Sequence, residues 1–455
     1  MIRRRAILST RSLFLSQSII ALLAMGPSST AVADAEQETV EQLQTRVKAL
    51  QLELEKTRAA LAKAEQEKQQ STAKLEALAE SQVDTEAKPD DKIRFGHLKV
   101  GGAIRANYAI GDYPETGGAS RSFDDDGNFA LDTFRLNLDY ENGPYLGKLE
   151  YRWYNGYNFL HTGWLGYQFD EQRQIQVGVN RVPFGPGPYG VSQSWFFDQH
   201  YYLGLSDDMD LGVKYHQSSD QWDWDIAYYV SDEGSYTGSS HQSARYSYDV
   251  VNESGEGYEE RNQFNLRGIT HLGSGEIKTD LGFSLQYSQL KSRGSQDDGH
   301  HYAVSGHMLN KWRAFTLATQ LTYYRFDVDK DQPLGTNKLV QMGAYDFPNT
   351  VAAEAWLPAV SLSYRYDTNQ LPWLDYVMPY VEYSVLLKEE RDFNDSALAT
   401  LGAAWASGNW YIYTDLSASN GNEFIGGDDP FGDRLGANQN DDWQTRFNIN
   451  FGYYF

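Results

Sequence analysis

The feature that most constrains the fold is an alternation of apolar and polar residues that runs through residues 94–455. In the stretch FRLNLDY, Phe134 and Leu136 share one face of an extended chain, whereas Arg135 and Asn137 share the other. A period of two residues is that of a β-strand with one apolar face. This part of the sequence therefore predicts an all-β structure.

About sixteen segments carry the alternation clearly, and short and long connections follow one another between them. Such connections are typical of hairpins with two unlike ends. A weaker segment, Leu339 to Phe347, is assigned to a loop, because Gly343 interrupts it and a single-chain barrel with both termini on one side needs an even number of strands. The predicted strands lie near residues 95–110, 128–141, 146–157, 160–170, 174–182, 209–217, 221–231, 261–273, 276–292, 299–312, 314–327, 355–367, 375–388, 395–407, 409–419 and 442–455.

Two architectures could use such strands, a soluble sandwich or propeller and a membrane barrel. The sequence shows no internal repeat of the kind that propeller blades have. Aromatic residues lie at strand ends, as at Tyr140, Trp153, Tyr228 and Trp405, which fits the girdles found at membrane interfaces. Closure also satisfies every backbone group within lipid. We therefore expect residues 94–455 to form a transmembrane antiparallel β-barrel of about 16 strands.

The last residues of the chain, NINFGYYF, place Ile449, Phe451, Tyr453 and Phe455 on one face of a strand. As an edge strand of a soluble sheet, this segment would expose those side chains as an aggregation hazard. It resembles instead the closing strand of an outer-membrane barrel, whose terminal aromatic residue is similar to the signal read by the barrel-assembly machinery of Gram-negative bacteria. That machinery is therefore an expected partner.

The N-terminal part is expected to divide into three segments. Residues 1–33 combine three early arginines, a short apolar stretch and an Ala-Val-Ala cleavage site, and predict an export signal peptide. Residues 34–80 keep one heptad frame and predict a periplasmic coiled coil, although a single solvated helix stays an alternative. Its seam is weak in the middle, so it would need support from associated subunits. Residues 81–93 are expected to form a linker.

Residue types exclude several classes of function. A formal net charge of -23 speaks against nucleic acid as a partner, and the chain has no cysteine for a disulfide or a thiolate metal site. An EF-hand loop starting at Asp124 would need glycine where Phe129 stands, and the adjacent His300 and His301 point to opposite faces of any strand. No catalytic residue, metal site or cofactor is predicted. A barrel enzyme, and a tether or adhesin acting through its coiled coil or outer loops, stay alternatives.

The connection over residues 183–208 differs from the other long loops, because it is aromatic and rich in Pro and Gly rather than acidic. We expect it to fold into the barrel as a constriction loop, with packing at a subunit interface as the alternative. Its aromatic residues are expected to pack on the wall, whereas three polar residues are expected to face the lumen. The aromatic residues are Trp195, Phe196, Phe197, Tyr201 and Tyr202, and the polar ones are Asp198, Gln199 and His200.

The phase of the alternation also predicts which charged residues line the pore. Arg135, Lys148 and Arg152 are expected to form a basic strip that faces Asp198 or Glu150 across the pore and gives a modest anion preference. The alternative is that the basic residues only pair with neighbouring acids and stabilise the wall. The predicted lumenal residues are the basic Arg105, Arg135, Lys148, Arg152, Lys214, Arg267, Arg365 and Arg446 and the acidic Asp139, Glu150, Asp223, Asp225, Asp280, Glu382 and Asp415.

The stretches VGVNRVPFG, YYLGLSDDMDLGVKY and FGYYF, together with the order of segments, resemble the phosphate-selective porin O and P family and the related DcaP-like porins. The resemblance implies a homotrimeric channel in the outer membrane of a Gram-negative bacterium, surrounded by lipid and lipopolysaccharide. It also implies passive diffusion of small hydrophilic solutes or ions, often anionic. One feature departs from the phosphate-selective members, because this sequence shows no concentrated rows of arginine and lysine.

Overall fold

The computed structural model describes residues 93–113, 128–273, 275–368, 370–426 and 431–455. The predicted signal peptide, the coiled coil and nearly all of the linker lie outside these residues. Within them, the chain forms strands and one 3₁₀ turn, Tyr201–Leu203. The strands are β1 (Ile93–Phe95), β2 (Leu98–Gly111), β3 (Asn128–Asn142), β4 (Tyr145–Trp153), β5 (Asn158–Gln168), β6 (Arg173–Arg181), β7 (Met209–Ser218), β8 (Trp222–Asp232), β9 (Asp249–Val250), β10 (Tyr258–Leu272), β11 (Ile277–Ser292), β12 (Gly299–Trp312), β13 (Phe315–Asp327), β14 (Leu339–Ala344), β15 (Phe347–Ala352), β16 (Glu354–Tyr364), β17 (Tyr366–Asp367), β18 (Tyr376–Lys388), β19 (Ser396–Ser407), β20 (Trp410–Ser419) and β21 (Gln444–Tyr454).

Sixteen of these strands form a closed antiparallel barrel, as the alternation predicted. They are β2–β8, β10–β13, β16 and β18–β21, and each pairs with its neighbour along the chain. The barrel closes where β21 pairs with β2, from Ala103 opposite Tyr454 to Gly111 opposite Arg446. The short β1 and β17 add to the edges of β2 and β18. No helix in the described part of the chain is long and apolar enough to cross a membrane.

The polarity of the barrel wall is inverted relative to a soluble protein. On β21, Asn448 and Asn450 are buried, and on β19 the large Leu401 is exposed. Exposed leucine, valine, tryptophan and tyrosine side chains occur all around the outer surface. A soluble sandwich buries its apolar face, so this arrangement excludes that alternative and fits a wall that faces lipid outside.

The closing pair of strands is extended by contacts between Gly102 and Phe455. The amide of Gly102 donates a hydrogen bond of 2.8 Å to the carbonyl of Phe455, and the amide of Phe455 donates one of 3.0 Å to the carbonyl of Gly102. Gly102 is required for this contact, since a Cβ atom there would lie 2.8 Å from the Phe455 ring and 2.4 Å from the carbonyl oxygen of Arg135. The terminal aromatic residue is thus part of the seam that closes the barrel.

The two ends of the barrel differ in their connections. One end has tight turns, such as the link between β3 and β4, and the other carries long loops. The weak segment Leu339 to Phe347 lies outside the barrel, as predicted, but it is not irregular. It forms β14 and the start of β15, which make a small sheet with β9 at the long-loop end.

Candidate functional site: a constriction inside the barrel

Residues 182–208 connect β6 to β7 and cross the barrel interior. The Ser192 hydroxyl donates a hydrogen bond of 2.6 Å to Glu382 on β18, and the Trp195 amide donates one of 3.1 Å to Asp415 on β20. The His200 Nε2 atom lies 2.9 Å from the Thr322 hydroxyl on β13. These three strands lie five or more positions away from β6 and β7 around the sheet. The connection is therefore fastened to the far side of the barrel.

The polar residues of this loop are buried and hydrogen-bonded, and they do not face lumenal water as expected from the sequence. Asp198 accepts hydrogen bonds from the amides of Val191 at 3.0 Å and His200 at 2.8 Å, and its Oδ1 atom lies 2.9 Å from the His200 ring. Gln199 donates to the carbonyl of Ser396 at 3.3 Å. A loop inside a barrel carries backbone groups that cannot all reach water, so short polar side chains satisfy them instead.

The aromatic residues of the loop belong to an aromatic cluster inside the long-loop end. Tyr201 stacks on Phe197 with ring centroids 4.1 Å apart. The ring centroids of Tyr202 and Phe424 are 5.9 Å apart. The cluster is formed by Phe159, Phe196, Phe197, Tyr201, Tyr202, Tyr246, Tyr248, Tyr345 and Phe424, and inward-facing residues of several strands pack against it. It narrows the interior at this end, because its members come from four separate loops and from the wall itself.

One carboxylate ties two of those loops together. Asp346, in the turn between β14 and β15, accepts four hydrogen bonds from the amides and hydroxyls of Ser239 and Ser240, at 2.6 to 2.9 Å. Partial burial would raise the pKa of Asp346, but the hydrogen bonds from these serines outweigh it and lower that pKa below the usual 3.8. The charged form of Asp346 is therefore the one that holds residues 233–257 to this turn.

Acidification should loosen this contact. Because the folded-state pKa is lowered, the contribution of Asp346 is fully present above pH 3.8 and is lost as the pH falls through the folded value. A spin label on His241→Cys, in a chain that otherwise has no cysteine, should gain mobility in that acid range. In the Asp346→Asn variant the label should be mobile already at neutral pH and respond much less to acid. An unchanged label in that variant would contradict the role given to Asp346.

The charged wall beside the loop is centred on Glu150. Its Oε1 atom lies 2.6 Å from Arg152 and 3.6 Å from Arg135, and Asn137 donates to its Oε2 atom at 3.1 Å. Arg135 and Arg152 are directly opposite each other on β3 and β4, so the carboxylate neutralises two like charges that would otherwise repel. The expectation that Glu150 faces the basic strip across the pore is wrong, because Lys148, Glu150 and Arg152 alternate along one face of β4.

Three further ion pairs share a common orientation, in which the arginine is more accessible to water than its carboxylate partner. The side chain of Arg105 is 19% exposed and that of Asp132 is 1% exposed, with 2.9 Å between them. The corresponding values are 31% and 0% for Arg181 and Asp207 at 2.9 Å, and 19% and 4% for Arg267 and Asp225 at 2.7 Å. The positive ends of these pairs therefore lie nearest the water inside the barrel.

The other predicted lumenal residues are spread over the interior and its ends. Lys214 donates to the carbonyl of Arg181 at 2.8 Å, and Arg446 donates to the carbonyl of Phe424 at 3.0 Å, beside the aromatic cluster. Arg365 lies between β16 and β17 at the short-turn end, 2.9 Å from Asp367. Lys214 thus joins the accessible arginines, whereas Arg446 and Arg365 belong to other regions.

Sequence reasoning missed Asp132 and Arg181. Asp132 shares the parity of the outward-facing Phe134, but the register between β2 and β3 shifts at this point and brings its carboxylate to Arg105. Arg181 shares the parity of the outward-facing Val177 and lies at the last position of β6. Alternation alone therefore carries no signal for either residue.

Comparison with known proteins gives matches in structure but not in sequence. No family model matches the chain, and no curated protein matches it. The outer membrane channel DcaP of Acinetobacter baumannii superposes with a TM-score of 0.51 at 10% identity, covering 79% of this chain and 97% of that one. OprB of Pseudomonas putida gives 0.50 at 9% identity, covering 79% and 94%. The expected likeness to DcaP-like porins is confirmed at the level of the fold.

Proposed function

We propose that this protein is an outer-membrane porin that lets small hydrophilic solutes diffuse passively through its barrel. The observation that carries the proposal is the inverted wall, which is closed over sixteen strands, apolar outside and polar inside. A barrel of this size is wide enough for an aqueous channel, and residues 182–208 narrow it. Solute passage would then depend on the space beside this loop.

Planar bilayer recording tests the proposal. Full-length mature protein added to a bilayer should produce stepwise increases in current that vary linearly with voltage. A protein that inserts, shown by protection of its barrel from protease, but passes no current at any salt concentration would contradict it. That outcome would favour a tether or a barrel enzyme instead.

We infer a modest preference for anions from the accessible arginines. A charge in a narrow, partly dry pore acts on a passing solute more strongly than one in an external loop, where salt screens it over about 8 Å. Replacing Arg105, Arg181 and Arg267 by Gln should move the reversal potential in a salt gradient toward cation selectivity and reverse its sign. Lys330→Gln, in an exposed pair with Asp331, is the matched control and should change nothing. A wild-type channel that is already strongly cation-selective would refute the inference.

We also propose that three chains associate, with residues 34–80 as a periplasmic coiled coil after a cleaved signal peptide of residues 1–33. The described chain begins at the short-turn end, where the carbonyl of His97 accepts a hydrogen bond from the amide of Glu141, 3.0 Å away. This is the end expected to face the periplasm, since outer-membrane barrels have short periplasmic turns.

The trimer is expected to survive mild detergent. Unheated protein should migrate in native electrophoresis as an oligomer, and boiling should convert it to a monomer. Removal of residues 36–81 should weaken the oligomer while the barrel itself stays heat-modifiable. A purely monomeric species before heating would contradict the proposed association.

A further inference from the structure

Three buried aspartates lie close together where the inward loop, residues 182–208, joins the barrel. Asp208 is the last residue of the loop, Asp210 is the second residue of β7, and Asp249 begins β9 in the small sheet. One carboxylate oxygen from each lies within 4.8 Å of the others. Their exposed fractions are 4%, 2% and 1%. The junction between the loop and β7 supplies two of these carboxylates, and β9, which is distant in sequence, brings the third to the same enclosed point.

Two carboxylate oxygens of these residues lack hydrogen-bond partners within the described part of the chain. They are Oδ1 of Asp208 and Oδ1 of Asp210. The other oxygen of Asp210 accepts a hydrogen bond of 2.7 Å from Gln263, and Oδ2 of Asp249 accepts one of 2.9 Å from Arg245. Hydrogen bonds thus hold the Oδ2 atoms of Asp210 and Asp249 in place. The Oδ1 atoms of Asp208 and Asp210 are buried without a donor, which is unusual for carboxylate oxygens in folded proteins.

Two more buried carboxylates, those of Glu233 and Glu260, add to the negative charge around the three aspartates. Glu233 and Glu260 lie close by, where they accept hydrogen bonds from the amides of Ser247 at 2.9 Å and Val250 at 3.4 Å. Among the described residues, the Arg245 guanidinium forms ion pairs with Asp249, Asp232 and Glu233, at 2.9, 3.2 and 3.7 Å. Buried like charges at such distances require either protons or a cation.

We propose that Asp208, Asp210 and Asp249 bind a divalent cation, and that the cation is Ca²⁺. Oxygen-only donors select hard cations, and Ca²⁺ accepts irregular sets of carboxylate ligands, whereas Mg²⁺ retains several waters in strict octahedral geometry. The bound ion would fasten the base of the inward loop to β7 and β9.

The site stands independently of the proposed porin function, but one consequence rests on it. An ion that fixes the base of residues 182–208 would also reduce the movement of the constriction. Chelation should then increase the current noise of the open channel, and added Ca²⁺ should reverse the effect. Direct binding measurements separate the two ideas, because they need no conducting pore.

Terbium luminescence tests the site on full-length protein in detergent after treatment with a chelator. Tb³⁺ replaces Ca²⁺ at oxygen sites and is excited through nearby tyrosines, and Tyr248 adjoins Asp249 in the chain. We expect saturable luminescence that Ca²⁺ displaces at much lower concentration than Mg²⁺. Asp208→Asn combined with Asp210→Asn should weaken this component about tenfold or more, since affinity follows the number of charged ligands. Asp331→Asn, in an exposed loop, should leave it unchanged.

Thermal unfolding supplies the second measurement. Ca²⁺ should raise the unfolding temperature of the wild-type protein and of Asp331→Asn, but not that of the double variant. In chelator, the double variant should be at least as stable as the wild type, because repulsion is relieved. If the double variant fails to fold, Asp210→Asn alone takes its place. Equal Tb³⁺ binding by folded variants and wild type, or no calcium-dependent shift in the wild type, would overturn the proposal in favour of protonated carboxylates.

Discussion

Deleting residues 189–206 should raise single-channel conductance several-fold. These residues carry the contacts to β13, β18 and β20 and much of the aromatic cluster, so their removal widens the interior. The deletion can be made with little strain, because the Asp207 amide already donates a hydrogen bond of 2.7 Å to the Pro188 carbonyl. The two arms of the loop therefore meet just outside the deleted segment, and a short glycine linker can join them. Conductance in planar bilayers at fixed salt is the measurement.

Removal of residues 36–81 is the matched control for this deletion. It takes away more residues but none from the described barrel, so conductance should stay close to the wild-type value. Both proteins need to show the heat-modifiable band of a folded barrel before they are compared. If the loop deletion folds and conducts like the wild type, residues 182–208 do not set the width of the pore.

Replacing Glu150 by Gln should destabilise the barrel strongly. The substitution leaves Arg135 and Arg152 facing each other on adjacent strands, with side chains that are almost fully buried. Removing one partner from a buried ion pair costs about 3–5 kcal/mol. Urea unfolding of the barrel should show this as a lower midpoint. Glu141→Gln is the control on the neighbouring strand, since that carboxylate is exposed and pairs only loosely with Lys99 at 3.6 Å.

The same substitution should also change selectivity, in the direction opposite to that of the arginine replacements. With Glu150 neutral, the wall loses one negative charge and the reversal potential should move toward anions. A folded Glu150→Gln channel whose stability and selectivity both match the wild type would show that Arg135 and Arg152 are neutralised by other groups. The Glu141→Gln control should leave the reversal potential unchanged.

The strands could be predicted from the sequence because a membrane barrel requires strict alternation. Each strand must present an apolar face to lipid. A register shift of one residue would turn its apolar side chains to the interior and its polar side chains to lipid. The predicted bounds accordingly lie close to those of the structure, as for residues 276–292 against β11. Leu339 to Phe347 could be excluded from the wall on two other grounds, because Gly343 interrupts the segment and a single-chain barrel needs an even number of strands.

The details of the site could not be predicted in the same way. The register shift opposite Arg105 is one extra residue in β3, which turns Asp132 inward. No residue type in this part of the sequence indicates the shift. The burial of Asp198, Gln199 and His200 depends on partners nearly 200 residues away in some cases, such as Ser396. Alternation reports which face a residue occupies, but contacts between a loop and a distant wall are set by the closed fold.

The pairing of Phe455 with Gly102 has a consequence for how the protein is made. Neighbouring hairpins can form from residues that are close along the chain, but the closing pair joins the first and last strands of the barrel, β2 and β21. Contacts between residues so far apart in sequence form slowly. Until β21 pairs with β2, each of these strands presents an open edge that can pair with another chain. A chain that lacked β21 would keep open edges on β2 and β20, so pairing of β21 with β2 separates closed barrels from aggregation-prone intermediates.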